Sequence, residues 1–206
     1  MRKCRPVLLS VAAILLATPD AAKAAQLTIA DLDLPDLSCL RSDICHPSGS
    51  ITTVAAIPLP GLVDPGTALV RTRTLSLPSI PLLPGLLEGK TPYLYRVDLK
   101  AAHGAIECLG GLVVNFGPSI KVPHRLTSLS DVTDVLLVGE GGDIGVKSAE
   151  RDGDVITFEF KKLLCGGDRT AYFGLTSNRS PAAKTGGVFA MGDPPFYEVS
   201  IRAPAH

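Results

Sequence analysis

The sequence is poor in aromatic residues, since it has no tryptophan, four tyrosines and six phenylalanines among its 206 residues. A core of ordinary size therefore has to be built mainly from valine, leucine and isoleucine. Beyond the N-terminal segment, no apolar stretch approaches the ~20 residues that a membrane-spanning helix needs. We therefore expect no transmembrane segment in the mature chain.

Signatures of known active sites are also missing. The chain has no Gly-x-Ser-x-Gly, the motif of the hydrolase nucleophile elbow. Lys184-Thr185-Gly186 matches one element of the serine β-lactamases, but the Ser-x-x-Lys and Ser-Asp-Asn elements are absent, so we interpret the match as chance. The glycine-rich stretches GEGGDIG and CGGDR lack the Lys-Ser/Thr of a phosphate-binding loop. The motifs assign no catalytic and no cofactor-binding residue.

The first residues have the pattern of a secretory signal. A basic start precedes an apolar run from Val7 to Ala17, and Ala22-Lys23-Ala24 follows. This pattern predicts a signal peptide over residues 1–24, cleaved after Ala24, and hence a secreted or periplasmic protein. Cys4 precedes the apolar run, whereas a lipid-modified cysteine would follow it. A lipoprotein is therefore disfavoured.

Cleavage would also change the charge balance. Without Arg2, Lys3, Arg5, Lys23 and Asp20, the mature chain of 182 residues carries 16 basic and 19 acidic residues, a formal charge of −3. Such a balance disfavours nucleic acid as a partner. The mature length fits one domain of ordinary size.

Four cysteines remain after the predicted cleavage, an even number in a chain that enters an oxidising compartment: Cys39, Cys45, Cys108 and Cys165. Two disulfides are the expected outcome. Three pairings are possible, and the simplest joins Cys39 to Cys45 across five residues and Cys108 to Cys165 over a long loop. Zinc binding is disfavoured because the spacings contain no Cys-x-x-Cys. We interpret residues 25–49 as an N-terminal arm with its own disulfide loop and 50–206 as the folded domain.

Alternating apolar residues predict strands along that domain. In Val155 to Ser177, two such runs flank Cys165 and a Gly-Gly-Asp-Arg connection. Gly110-Gly111 is interpreted as a bulge and Asp152-Gly153 as a hairpin turn. The further strand candidates are Ser50 to Ile57, Leu69 to Leu75 as an edge strand, Thr91 to Leu99, Ala105 to Cys108, Leu112 to Phe116, Val132 to Val138, Ile144 to Ser148 and Phe196 to Arg202.

About eight short strands, with no convincing amphipathic helix, predict an all-β domain. We expect an antiparallel, immunoglobulin-like β-sandwich in which the long disulfide clamps two sheets face to face. No repeat period is visible, which disfavours a propeller or a β-helix.

Two segments rich in proline and leucine, IPLPGLVDPG and LPSIPLLPGLLEG, cannot be regular helix. They either pack across the edge of the domain or form an exposed apolar patch for a partner. If the chain has a contact surface, we expect it in the loops from Pro58 to Leu87 together with Gly139 to Asp143.

Metal sites are conceivable at two places. His103, Glu107 and His124 could meet only through folding, and a second group of carboxylates could bind calcium: Asp131, Asp134, Glu140 and Asp143. We interpret both groups as solvated loop residues and turn caps, and assign no metal. Asn178-Arg179-Ser180 matches the glycosylation sequon, whose use depends on the organism.

From Tyr93 to Pro204 the succession YLYRVDL, LVVNFGP, ITFEFKKLLCGG and AYFGLTS resembles uncharacterised exported bacterial β-sandwich proteins. The resemblance implies export and a sandwich fold, and it brings no functional residues. We therefore expect a secreted, non-catalytic binding or structural protein with an extracellular or cell-envelope partner. The alternative is a hydrolase that acts on envelope or extracellular polymers through a carboxylate pair.

Overall fold

The computed structural model of the chain describes residues 24–32, 50–75, 89–125, 128–139, 143–190 and 196–205. Within these ranges the chain forms strands and no helix. The strands are β1 Ala25–Gln26, β2 Ile29–Asp31, β3 Ile51–Ala56, β4 Leu69–Thr74, β5 Thr91–Asp98, β6 Leu109–Asn115, β7 Val122–Arg125, β8 Ser128–Thr133, β9 Val135–Val138, β10 Val146–Asp152, β11 Val155–Leu164, β12 Tyr172–Ser177, β13 Pro181–Ala190 and β14 Phe196–Pro204. None of the described ranges contains a helix of the length and apolarity that a membrane crossing requires.

Twelve of these strands form two six-stranded sheets. Sheet A has the order β1-β10-β11-β6-β13-β14, and sheet B has the order β2-β9-β12-β5-β4-β3. Strands β7 and β8 form a separate hairpin, and every pairing is antiparallel except the parallel pair β2–β9. The two large sheets pack together, which confirms the predicted antiparallel β-sandwich. Both sheets are wider than those of an immunoglobulin constant domain.

The core lies between the inner faces of the sheets and consists mostly of valine, leucine and isoleucine, as the composition predicts. Seven of the ten aromatic residues also belong to it. The ring of Phe173 from sheet B lies 4.9 Å from Phe158 and 6.0 Å from Phe160 of sheet A, centroid to centroid. These contacts across the interface add specific ring packing to the aliphatic core.

The predicted disulfide between Cys108 and Cys165 is confirmed, but its place in the fold is not the expected one. Cys108 directly precedes β6, Cys165 directly follows β11, and the adjoining residues Leu109 and Leu164 are paired neighbours in sheet A. The expectation that this bond clamps the two sheets face to face is therefore wrong. The physical reason is that β6 and β11, the strands next to the two cysteines, are neighbours in sheet A, although the chain passes through sheet B as β9 between them. The predicted Cys39–Cys45 bond lies outside the described residues.

Two local predictions about glycine are confirmed. Strand β6 runs through Gly110-Gly111, and its register against both neighbouring strands shifts there, as expected of a bulge. The β10–β11 hairpin turns at Gly153, whose φ of 58° lies in the left-handed region that glycine favours. Asp152 and Val155 are the last paired residues on either side of that turn.

Three strand predictions are wrong in position. Leu69–Thr74 is not an edge strand, because β4 lies between β5 and β3 and β3 forms the edge. Its mixed alternation reflects burial on both faces. Ala105 to Cys108 forms no strand, and the predicted run Val132 to Val138 is divided at Asp134 into β8 and β9.

The first described residues bridge the two sheets. β1 pairs with β10 at one edge of sheet A, and β2 pairs with β9 at an edge of sheet B. Between them, Thr28 donates through its backbone N and its Oγ1 to Asp134 Oδ2, over 3.0 and 2.7 Å. Residues 25–31 thus belong to the sandwich, although they fall in the segment interpreted as an arm. The limits proposed at residues 24 and 49 stay predictions.

Candidate functional site

Much of the outer face of sheet B is buried. Strand pairing places Arg73 beside Leu94, and places Tyr172 beside Val138. The side chains of these four residues, and those of Arg96 and Leu136 beside them, point away from the core, yet all six are buried. We call this set the arginine face: Arg73, Leu94, Arg96, Leu136, Val138 and Tyr172. Two of its members are arginines that are 0% and 1% exposed.

Aromatic and ionic contacts hold these arginines. The guanidinium carbon of Arg96 lies 4.0 Å from the centroid of the Tyr172 ring, and that of Arg73 lies 5.0 Å from it. Asp143 bridges two guanidinium groups, because its Oδ2 lies 3.3 Å from Arg96 Nη2 and its Oδ1 accepts from Arg169 Nε over 2.8 Å. Cation–π contact and a shared carboxylate together offset the cost of burying the charges. The arginine face therefore has a structural role.

The carboxylates considered for calcium are separated and occupied. Asp143 lies at the arginine face, beyond the end of β9. Asp134 lies before the start of β9, where it binds Thr28 and pairs with Lys121, Nζ to Oδ2 over 3.4 Å. Asp131 is exposed on β8, and Glu140 lies outside the described residues. The structure brings no pair of these carboxylates to one described site.

The histidine group is not assembled either. His103 is an exposed residue before β6, and His124 lies on the separate hairpin. Glu107 instead accepts a hydrogen bond of 3.1 Å from Tyr197 Oη. In the described part of the chain, no three histidine, cysteine, aspartate or glutamate side chains group in a way that could hold a metal.

Only part of the predicted contact loops is described. Leu59 is 5% exposed in the core and Leu62 packs against it, so the start of the first Pro/Leu-rich segment covers the domain's own edge. The prolines of this segment are exposed, and so is Val63, at 79%. Residues 76–88 and 140–142, which complete the predicted surface, lie outside the described ranges.

The outer face of sheet A is open, and it carries a shallow cleft of about 470 Å³. We call this cleft the polar cleft, and its lining is Asn115, Ala183, Lys184, Thr185 and Ser200. The sheet register explains the grouping. Thr185 pairs with Ser200 across β13 and β14, and Gly186 pairs with Val114, which makes Asn115 the neighbour of Thr185 on the outer face.

The polar side chains on the outer side of the cleft are those of Asn115, Thr185 and Ser200, which alternate with core residues along their strands. Asn115 Oδ1 is buried and accepts no hydrogen bond from a described residue. Lys184 pairs with the core residue Ile201, so its side chain leaves β13 on the opposite side from Thr185. The outward lining therefore offers one amide and two hydroxyl groups, and no carboxylate is part of it.

Two phenylalanines extend the same face away from the polar cleft. Phe189 pairs with Phe196 across β13 and β14. A side chain at Gly187 would overlap the Phe196 ring, and one at Gly111 would overlap the Phe189 ring, so each ring lies over a glycine. Phe196 is 45% exposed, although it belongs to a well-formed strand. We call this pair the phenylalanine platform.

Sequence reasoning missed this face. The sequence analysis interprets Lys184-Thr185-Gly186 only as a chance match to an enzyme motif. It predicts no strand at β13, which contains these residues. Thr185, Gly187 and Phe189 do follow a period of two, but glycine at the centre of that pattern hides the alternation. Asn115 gives no signal of its own, because its role depends on a neighbouring strand some 70 residues later in the chain.

The chain was compared with protein-family models, with curated proteins and with solved structures, and none of them matches it.

Proposed function

We propose that this chain is a secreted or periplasmic, non-catalytic binding protein that contacts its partner through the open face of sheet A. The observation that carries the proposal is the phenylalanine platform, where the Phe196 ring is 45% exposed on a paired strand. The hydroxyl groups of Thr185 and Ser200 lie in the polar cleft on the same face. An exposed apolar patch beside polar groups in a concave surface is typical of a binding site.

Export is supported by two independent features. The N-terminal residues have the pattern of a signal peptide, and the Cys108–Cys165 disulfide is compatible with an oxidising compartment. The resemblance of residues 93–204 to exported bacterial sandwich proteins agrees with this proposal. A partner in the extracellular space or the cell envelope follows from the same location.

The alternative, a polymer hydrolase with a carboxylate pair, stays a hypothesis without a supporting observation. Three of the described carboxylates, Asp98, Asp134 and Asp143, already bind arginine, threonine or lysine side chains. Binding without chemistry requires only the exposed face that is described above, so it is the simpler proposal.

The test compares two variants in a sedimentation assay with protease-treated, washed cell walls of the producing organism. Phe196→Ala removes the exposed ring of the phenylalanine platform, and Val54→Ala removes an exposed apolar side chain from β3, at the edge of sheet B. We expect Phe196→Ala to bind about tenfold more weakly, because the loss of one aromatic contact of ~1.4 kcal/mol raises the Kd tenfold, and Val54→Ala to bind as the wild type does. Equal binding by all three proteins would contradict the proposed face.

A further inference from the structure

We propose that the phenylalanine platform binds a polysaccharide that contains cationic amino sugars. In this arrangement the exposed Phe196 ring stacks on the C–H face of one sugar ring, and the carboxylate of Glu198 pairs with the ammonium group of the same sugar. The proposal rests on the proposed function, since it names the ligand class of the same face.

The register of sheet A places Phe196 and Glu198 together. Tyr197 and Val199 lie in the core, so the side chains of Phe196 and Glu198 both leave β14 on the outer face. Glu198 pairs with Gly187, the glycine that the Phe196 ring covers. Because the Cβ positions of such cross-strand partners lie roughly 5 Å apart, the Glu198 side chain begins next to the ring. One ligand group can therefore contact both side chains.

The charge beside the platform gives the second step. Glu198 is exposed, and its carboxylate makes no hydrogen bond or ion pair with any residue that the structure describes. Glu159, on the β11 side of the platform, differs. Its Oε2 accepts from Ser148 Oγ over 2.9 Å and lies 3.6 Å from Lys147 Nζ. A carboxylate only accepts hydrogen bonds, so a ligand group that faces Glu198 must donate, and a cation binds best.

The exposed ring gives the third step. Phe196 is 45% exposed, and the face of a phenylalanine ring attracts cations and the polarised C–H groups next to them. An amino sugar has an apolar C–H face with an ammonium group at its rim, so one small unit satisfies the ring and the carboxylate together. A neutral sugar would leave Glu198 without a counterion, and an acidic sugar would be repelled by it.

The polar cleft supports a polymeric ligand. Thr185 lies two residues from Gly187 on β13, and Ser200 lies two residues from Glu198 on β14, a distance of roughly 7 Å along the strands. Their hydroxyl groups line the polar cleft, where they can donate to and accept from the hydroxyl groups of the next sugar. A polysaccharide that runs along these two strands therefore meets the platform and the cleft in succession.

A basic peptide fits this face less well. An extended peptide binds a β-protein by pairing its backbone with an unpaired strand. The backbone of β13 is paired on both sides, so a peptide that lies across the platform gains no main-chain hydrogen bonds from this strand. Two hydroxyl side chains near the ring suit a ligand with many hydroxyl groups better.

The experiment uses the full mature protein and one polymer in two charge states. Chitosan is immobilised beside a fully N-acetylated sample of the same chains, and binding is measured by biolayer interferometry at a pH that protonates the free amine. We expect the wild type to bind chitosan, and acetylation to raise the Kd about tenfold, because it removes the cation that pairs with Glu198. Glu198→Gln should raise the Kd for chitosan about tenfold and no longer distinguish the two polymers.

Matched variants separate the site from the overall charge. Asp131→Asn also exchanges an exposed carboxylate for an amide, but on β8, and should bind chitosan as the wild type does. Phe196→Ala should weaken binding to both polymers, because both present C–H faces, whereas Glu198→Asp, which keeps the charge, should retain the preference for chitosan. Polylysine of similar charge, a cation without sugar rings, should bind the wild type more weakly than chitosan does. Thermal unfolding of each variant, followed by circular dichroism, verifies that its fold is retained.

The outcomes distinguish the two proposals. Four results would each overturn the amino sugar: no binding of chitosan, equal binding of chitosan and its acetylated form, equal losses for Glu198→Gln and Asp131→Asn, or polylysine binding as tight as chitosan binding. The binding face would still stand after any of them if cell-wall retention depends on Phe196. Cell-wall retention that Phe196→Ala leaves unchanged would overturn the proposed function itself.

Discussion

The outer faces of the two sheets differ in how they hold aromatic rings. On sheet B, the Tyr172 ring is buried against Arg73 and Arg96, and Asp143 links Arg96 to Arg169. On sheet A, the Phe196 ring lies over Gly187 and is 45% exposed. A ring that the protein itself covers stabilises the fold, whereas an exposed ring is available to a ligand. The comparison teaches that the environment of an aromatic ring, more than its identity, indicates its role.

The two sheets also differ in what ties their strands together. Sheet A has a covalent link between β6 and β11, and sheet B has the ionic contacts of the arginine face. The following predictions test this difference, beginning with the largest expected effect.

The disulfide should make the largest contribution to the free energy of unfolding. The bond joins residues 57 positions apart, and the chain-entropy model assigns such a loop about 4 kcal/mol. We therefore expect the Cys108→Ala, Cys165→Ala double variant to lose about 4 kcal/mol of unfolding free energy in urea titrations. Asn115 lies at the other end of β6 from the bond, so the folded variant should bind cell walls normally. A loss below about 1 kcal/mol would show that the bond closes structure already present in the unfolded chain.

The loss of Asp143 should have the next largest effect on the free energy of unfolding. Asp143→Ala leaves Arg96 and Arg169 without their shared carboxylate, and breaking a buried ion pair costs about 3 kcal/mol. The matched control is Asp131→Ala, which removes an exposed carboxylate from β8 and should change the unfolding free energy by less than about 0.5 kcal/mol. Chemical denaturation of both variants measures the difference. Equal losses would contradict the structural role of the arginine face.

Two glycines of sheet A provide a smaller contrast. A Cβ at Gly111 would overlap the backbone oxygen of Phe158, whereas the nearest atoms to a Cβ at Gly187 all belong to the exposed Phe196 ring. We expect Gly111→Ala to lose about 3 kcal/mol, because backbone has to move, and Gly187→Ala about 1 kcal/mol, because a ring can turn away. Thermal unfolding of the two variants checks the order. If Gly187→Ala proved the more damaging, the Phe196 ring would be fixed rather than free to meet a ligand.

The smallest effect should depend on pH at the junction of the two sheets. Burial acts to raise the pKa of Asp134, but hydrogen bonds from Thr28 and the charge of Lys121 outweigh it, so the pKa lies below its ordinary value of 3.8. The lowered pKa stabilises the fold above the unfolded pKa, and this contribution is lost as the pH falls through the folded pKa.

Thr28→Val tests that junction. The variant removes the hydroxyl donor and should cost about 1 kcal/mol at neutral pH. Since protonated Asp134 has no charge to stabilise, the difference in unfolding free energy between wild type and variant should narrow below about pH 4. A difference that is constant from pH 7 to pH 2 would mean that Thr28 acts through packing alone.

Much of the fold could be predicted from local patterns. Strands β5, β11 and β14 alternate clearly, so their existence and their inward residues follow from the period of two. Cys108 and Cys165 were paired correctly, but the assignment of their strands to opposite sheets was wrong. Sheet membership depends on which strands pair across the chain, and no local pattern contains that information.

The missed elements have physical reasons. β1 and β2 are two and three residues long, too short to show a period. β13 contains Gly186-Gly187, and two glycines in a row weaken its alternating pattern. In the fold, the Ile201 side chain fills the space next to Gly186, and the Phe196 ring fills the space next to Gly187. The polar cleft requires β6, β13 and β14 to be adjacent, so it could be recognised only after the topology was known.

The central claim is that the Phe196 ring serves a ligand and not the fold, and one comparison tests it most directly. Wild type, Phe196→Ala and Val54→Ala are assayed together for thermal stability and for binding to cell walls. We predict similar melting temperatures for all three proteins and about tenfold weaker binding for Phe196→Ala alone. A lowered melting temperature with unchanged binding would contradict the claim, because Phe196 would then stabilise the sandwich as the buried Tyr172 does.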